Sequence, residues 1–200
     1  MKKILLAVSL VSTAFALPAL AGDAAIGKAK SATCAACHGP DGNSMAPNFP
    51  KIAGQHESYI AKQLRDYKSG ARKDPTMTAM VIPLSESDID DLAAYFASQS
   101  VKVGTTAEDK LEAGQTLYRA GNASSGVASC SACHGPNGSG NPQASFPSLS
   151  GQHADYIAAQ LKMFRKAERI NDAGNMMRGV AARMTDAEID AVAQYVQGLH

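Results

Sequence analysis

The 200-residue chain contains no tryptophan, and aromatic residues make up only 6% of it. Large rings supply much of the apolar bulk of an ordinary core, so this chain must fill its interior in another way. Charge of one sign is not in excess, with 19 Lys and Arg against 18 Asp and Glu. There is no basic stripe, which argues against nucleic acid as a partner. Strand-like alternation is missing, and so is the βαβ pattern that accompanies a thioredoxin-like dithiol. Long apolar runs are also missing apart from residues 4–17, a stretch short for a membrane span and soon ended by Pro18. That run comes after Lys2 and Lys3 and leads to the small-residue site Ala19-Leu20-Ala21. Residues 1–21 are therefore expected to be a secretory signal peptide, with an uncleaved anchor as the alternative. The mature chain would begin at Gly22, carry 17 basic and 18 acidic residues, and reside in the periplasm.

Cysteine is scarce too, and all four residues fall in two copies of Cys-x-x-Cys-His. These are Cys34-Ala-Ala-Cys37-His38 and Cys130-Ser-Ala-Cys133-His134. This spacing is the attachment signature of c-type haem. Two thiols three positions apart reach the two vinyl groups of one porphyrin and form thioethers, and the adjacent histidine ligates the iron. Two covalent haem c groups are therefore expected, and they would supply the missing apolar bulk. A structural zinc site needs four ligands with a spaced second pair, whereas these pairs lie 96 residues apart. Simple disulfides in an oxidising compartment stay open as an alternative.

Superposing the two motifs brings the downstream residues of both halves into register. Residues 37–40, Cys-His-Gly-Pro, recur at 133–136, with Gly42 over Gly138. Phe49-Pro50-Lys51-Ile52-Ala53-Gly54-Gln55-His56 recurs as Phe146-Pro147-Ser148-Leu149-Ser150-Gly151-Gln152-His153. Tyr59 and Gln63 fall over Tyr156 and Gln160, and Ser85 and Tyr95 over Thr185 and Tyr195. The chain thus reads as two small domains, 22–100 and 108–200, joined by a linker at 101–107 and packed against each other. Each half is expected to be helical: an opening helix over 23–33 or from about 110, a middle helix over 57–69 or 154–166, and a closing helix from Ser85 or Thr185 with a capping box. Gly27 and Gly114, in the opening helices, would admit the close approach of Tyr95 and Tyr195.

The repeat also selects the iron's second ligand. Of the seven methionines after Met1, only Met77 and Met177 coincide, each eight residues before the closing cap. His56 and His153 coincide as well, and they read as polar residues at a helix start. The histidines of the motifs are expected to donate their free ring N–H to the carbonyls of Pro50 and Pro147. Arg65, Lys68, Arg72 and Lys73, with Lys162, Arg165, Lys166 and Arg169, read either as a docking surface or as an ordinary solvated helix face.

The haem motif, Pro-x-[Ile/Leu]-x-Gly and the late methionine in each half resemble class I cytochrome c, and the duplication resembles the dihaem cytochrome c4 family. The resemblance covers residues 22–200. It implies an all-α fold of two tandem class I cytochrome c-like domains, each wrapped around one covalent haem c. Cys34, Cys37, Cys130 and Cys133 would hold the haems, and His38, Met77, His134 and Met177 would ligate the irons. The implied function is single-electron transport in a respiratory chain, from the bc1 complex toward a terminal oxidase, with peripheral membrane association and no small-molecule substrate. A dihaem peroxidase, or a haem subunit of a larger dehydrogenase or oxidase, is the alternative.

Overall fold

Both closing helices begin with a reciprocal cap, and this sets the frame of each half. Ser85 and Thr185 accept from the backbone N–H of Asp88 and Glu188, whose carboxylates accept from the cap residues in return. Each exchange satisfies two amide donors that would otherwise have no partner at a helix start. The computed structural model describes residues 22–200; the proposed signal peptide lies outside them.

The N-terminal half holds α1 (Ala24–Lys30), α2 (Ala32–His38), α3 (Glu57–Ser69), α4 (Pro75–Val81) and α5 (Glu86–Ala97). The C-terminal half holds α6 (Glu108–Ala120), α7 (Ser131–His134), α8 (Ala154–Arg165), α9 (Met176–Ala181) and α10 (Asp186–Gln197). Among the described residues, strand-like pairing is limited to two isolated bridges, Asn122 with Val127 and Asn141 with Phe146. The opening helix of the first half is not continuous over 23–33. It breaks at Ser31, whose hydroxyl donates to Lys28 O, and the haem motif lies on the separate α2.

The opening and closing helices cross in each half, α1 on α5 and α6 on α10. Glycine makes the crossing possible. A Cβ on Gly27 would lie 1.9 Å from Asp91 O, and one on Gly114 would lie 2.3 Å from Ala191 O and 2.6 Å from the Cβ of Tyr195. The middle helices α3 and α8 pack on the same closing helices. Two separate small cores result. Ile60, Ile89, Leu92 and Phe96 form the first; Leu117, Tyr118, Ile189, Val192 and Val196 form the second.

Candidate haem sites and the seam between them

His38 and His134, the last residues of α2 and α7, are both buried. Each ring donates from Nδ1 to a proline carbonyl, at 2.8 Å to Pro50 O and 2.9 Å to Pro147 O. Burial lowers the pKa of both rings, against a smaller opposing effect of those carbonyls. The rings are therefore neutral, and Nδ1 carries the proton. The Nε2 lone pair is left for a metal, as a ligating imidazole requires. Phe49 and Phe146 stand against the two rings at centroid distances of 6.5 and 6.1 Å.

All four cysteines are free. Cys34 and Cys37 lie three apart on α2, on one helix face. Cys130 caps α7 and Cys133 lies within it. Burial raises the Cys34 thiol and pushes Cys130 up to about 11. A redox dithiol needs a lowered thiol pKa, so this environment opposes that reading. Among the described residues, no three His, Cys, Asp or Glu side chains gather as ligands for a bare metal ion. What remains is a neutral, oriented histidine beside two thiols in each half, and that set fits haem c.

The methionines divide by environment. Met45 is 95% exposed and Met176 is 46% exposed, while Met184 is sealed in the second core. Met77, Met80, Met163 and Met177 are all half-buried; of these only Met77, in α4, and Met177, in α9, share a register, and the two helices pack on α3 and α8. The two short helices are secured differently. Asp74 caps α4 by accepting from Met77 N at 2.9 Å. Before α9, Asp172 accepts from Arg178 N at 3.0 Å and from Arg178 Nε at 2.7 Å. Burial alone would raise the Asp172 carboxyl, but these Arg178 donors outweigh it and hold the pKa down.

The seam between the halves is only partly legible in the sequence. Arg72 and Arg169, docking candidates by sequence, are buried there. Arg72 donates to Gln63 in its own half and to Tyr156 OH and Gln160 in the other, at 2.8 to 2.9 Å. Arg169 mirrors it, donating to Gln160, Tyr59 OH and Gln63. Each guanidinium also lies over a ring of its own half, Tyr67 or Phe164. The available signal was Tyr59 and Gln63 recurring in step as Tyr156 and Gln160, because a duplicated unit packing on its copy repeats its contact residues. Of the other cations, Arg65 pairs with Glu86 and Asp90, Arg165 pairs with Asp186, and Lys68 donates to Leu84 O. Lys73 and Lys162 stay exposed.

The cytochrome c family pattern matches residues 24–100 and again 111–200. Cytochrome c4 of Azotobacter vinelandii is 52% identical over 190 residues, covering 90% of each chain. The crystal structure of reduced recombinant cytochrome c4 from Pseudomonas stutzeri superposes with a TM-score of 0.88 at 49% identity, covering 90% of this chain and all of that one. The thiosulfate dehydrogenase electron acceptor of Stutzerimonas stutzeri is 40% identical over 167 residues, covering 81% of this chain and 76% of that one. With two haem-type histidines set in two domains of one chain, these likenesses agree: the chain belongs to the cytochrome c4 family of electron carriers, whose two cytochrome c domains each bind a covalently attached haem c.

Proposed function

We propose that the chain is a periplasmic carrier of single electrons whose two irons are both closed by histidine and methionine. His38 and Met77 would ligate one, His134 and Met177 the other, with Cys34, Cys37, Cys130 and Cys133 as the thioether anchors. One observation carries this reading: in each half a buried neutral histidine is joined, in matched register, by a half-buried methionine eight residues before the closing cap. When bound, each haem takes up and gives back one electron by Fe(III)/Fe(II) cycling. The protein's part is to hold its neighbours still. The proline carbonyls fix the histidine tautomer, and neutral thioether ligands favour Fe(II) and raise the potential.

The upstream donor is proposed to be the bc1 complex and the acceptor a terminal oxidase, through brief, small contacts. Association with a membrane is proposed to be peripheral; among the described residues no helix is long and apolar enough to cross one. The likeness to a thiosulfate dehydrogenase electron acceptor supports a second class of donor, a dehydrogenase. The ligand reading is tested by the sulfur-to-iron charge-transfer band of the oxidised protein. Met77→Ala and Met177→Ala should each remove about half of its intensity, and the double variant all of it. A band intact in all three would refute the assignment.

A further inference from the structure

The glutamines of the seam repeat about a twofold pattern. Gln55 accepts from Ser148 N and donates to Ser148 O, both at 2.9 Å. Gln152 does the same to Lys51, at 2.8 and 2.7 Å. The next residue breaks the symmetry. His153 Nε2 lies 3.0 Å from Ser44 O and 2.9 Å from Ser44 Oγ, across the seam. His56, its twin, has a buried Nε2 with no hydrogen-bond partner.

The matching loop of the second half differs from the one that meets His153. In register, Ser44 corresponds to Gly140, which has φ +73°. A Cβ there would lie 2.4 Å from Phe146 O and 2.5 Å from Pro147 O. A serine does not fit at this position, so the hydroxyl that Ser44 places beside His153 has no counterpart there. The second loop closes on itself instead, with Asn141 and Phe146 exchanging backbone hydrogen bonds at 2.9 Å each.

We propose that His153 is a positioning residue for His38, acting from the C-terminal half on the haem site of the N-terminal half, and that no equivalent acts on His134. Ser44 O can only accept, so His153 donates from Nε2. Ser44 Oγ in turn donates to Phe49 O at 2.6 Å. The next carbonyl, Pro50 O, receives the His38 proton, and the residue after it, Lys51, is gripped by Gln152. Pro50 is therefore held from both sides by the other half. A firm N–H bond at the far ring nitrogen makes a ligating imidazole more electron-rich and favours the oxidised iron. Loosening Pro50 weakens that bond and raises the potential of the first haem.

The proposal rests on reading His38 as an iron ligand. It is tested on the holoprotein with His153→Ala, by a redox titration that resolves the two haems by NMR and by amide exchange. The N-terminal haem should rise in potential while the C-terminal haem stays put, and amides in residues 43–51 should exchange severalfold faster. His153→Gln, which keeps an N–H donor, should recover part of both effects, and His56→Ala should move neither potential. Equal shifts in both haems, or a C-terminal shift in His56→Ala, would overturn the proposal. Faster exchange with an unmoved potential would overturn the proposal, whereas loss of the low-spin haem spectrum in His38→Ala would separately uphold His38 as the ligand. Unmoved exchange and potential would overturn the proposal alone.

Discussion

The loops that come after the two haem histidines differ more than their sequences suggest. Residues 39–50 lean on the rest of the molecule: Ser44 on His153, Asn43 on Ser100 O and Lys102 N, and Asp41 on Lys102. Residues 135–147 lean on themselves, through the pairing of Asn141 with Phe146. The tyrosine that anchors each turn also comes from a different place. Tyr95, on the closing helix α5, donates to Pro40 O, whereas Tyr118, on the opening helix α6, donates to Gly135 O. A duplicated fold can thus keep both sites while changing what supports them. Both loops are gripped at their ends by a glutamine of the other half, but only the first is also braced from outside along its length.

The methionine helices sharpen this contrast most. Asp172 has a side chain only 4% exposed and is paired with Arg178. Asp172→Ala should cost about 2 kcal/mol, because it removes the shielded carboxylate that accepts from both Arg178 N and Arg178 Nε. Asp74→Ala removes an exposed helix cap and should cost about 1 kcal/mol. Denaturant midpoints would measure both, and equal losses would erase the difference between α4 and α9. The helix crossings are where the halves should behave alike. Gly27→Ala and Gly114→Ala should each lose about 2 kcal/mol by overpacking, and a neutral result in either would show that its crossing can open.

The smallest effect is one of pH. Asp41 is held down to about 2 from 3.8, first by its hydrogen bond with Lys102 and then by Asn43 N–H. A carboxyl depressed on folding contributes stability that is complete above its unfolded pKa and is lost as pH falls toward the folded one. The Asp41 brace should therefore weaken between about pH 4 and pH 2. The matching position in the second half is Asn137, which does not titrate. The amide of Asn43 should track a carboxyl titration by NMR, and that of Ser139 should not.

Much of this is legible in the chain. The Cys-x-x-Cys-His motifs, both capping boxes, the two crossing glycines and the proline acceptors can be read from spacing, because each depends on contacts within a few residues or on one repeated partner. What escapes depends on the copy. Arg72 and Arg169 look like surface cations until a second half supplies Tyr156, Gln160, Tyr59 and Gln63 to bury them. The break at Ser31 escapes because alanine-rich sequence runs through it without a glycine or proline. The different fates of His56 and His153, one unpartnered and one bonded across the seam, depend on loop conformations such as the positive φ at Gly140, which alignment alone does not reveal.

The central claim is that both irons are closed, which separates a carrier from a peroxidase. Carbon monoxide tests it directly, since it binds ferrous haem only where the sixth position is open. Added to the reduced wild-type holoprotein at neutral pH, it should leave the Soret band of both haems unchanged. A Soret shift saturating at one carbon monoxide per chain would contradict the account and assign the open haem to an enzyme.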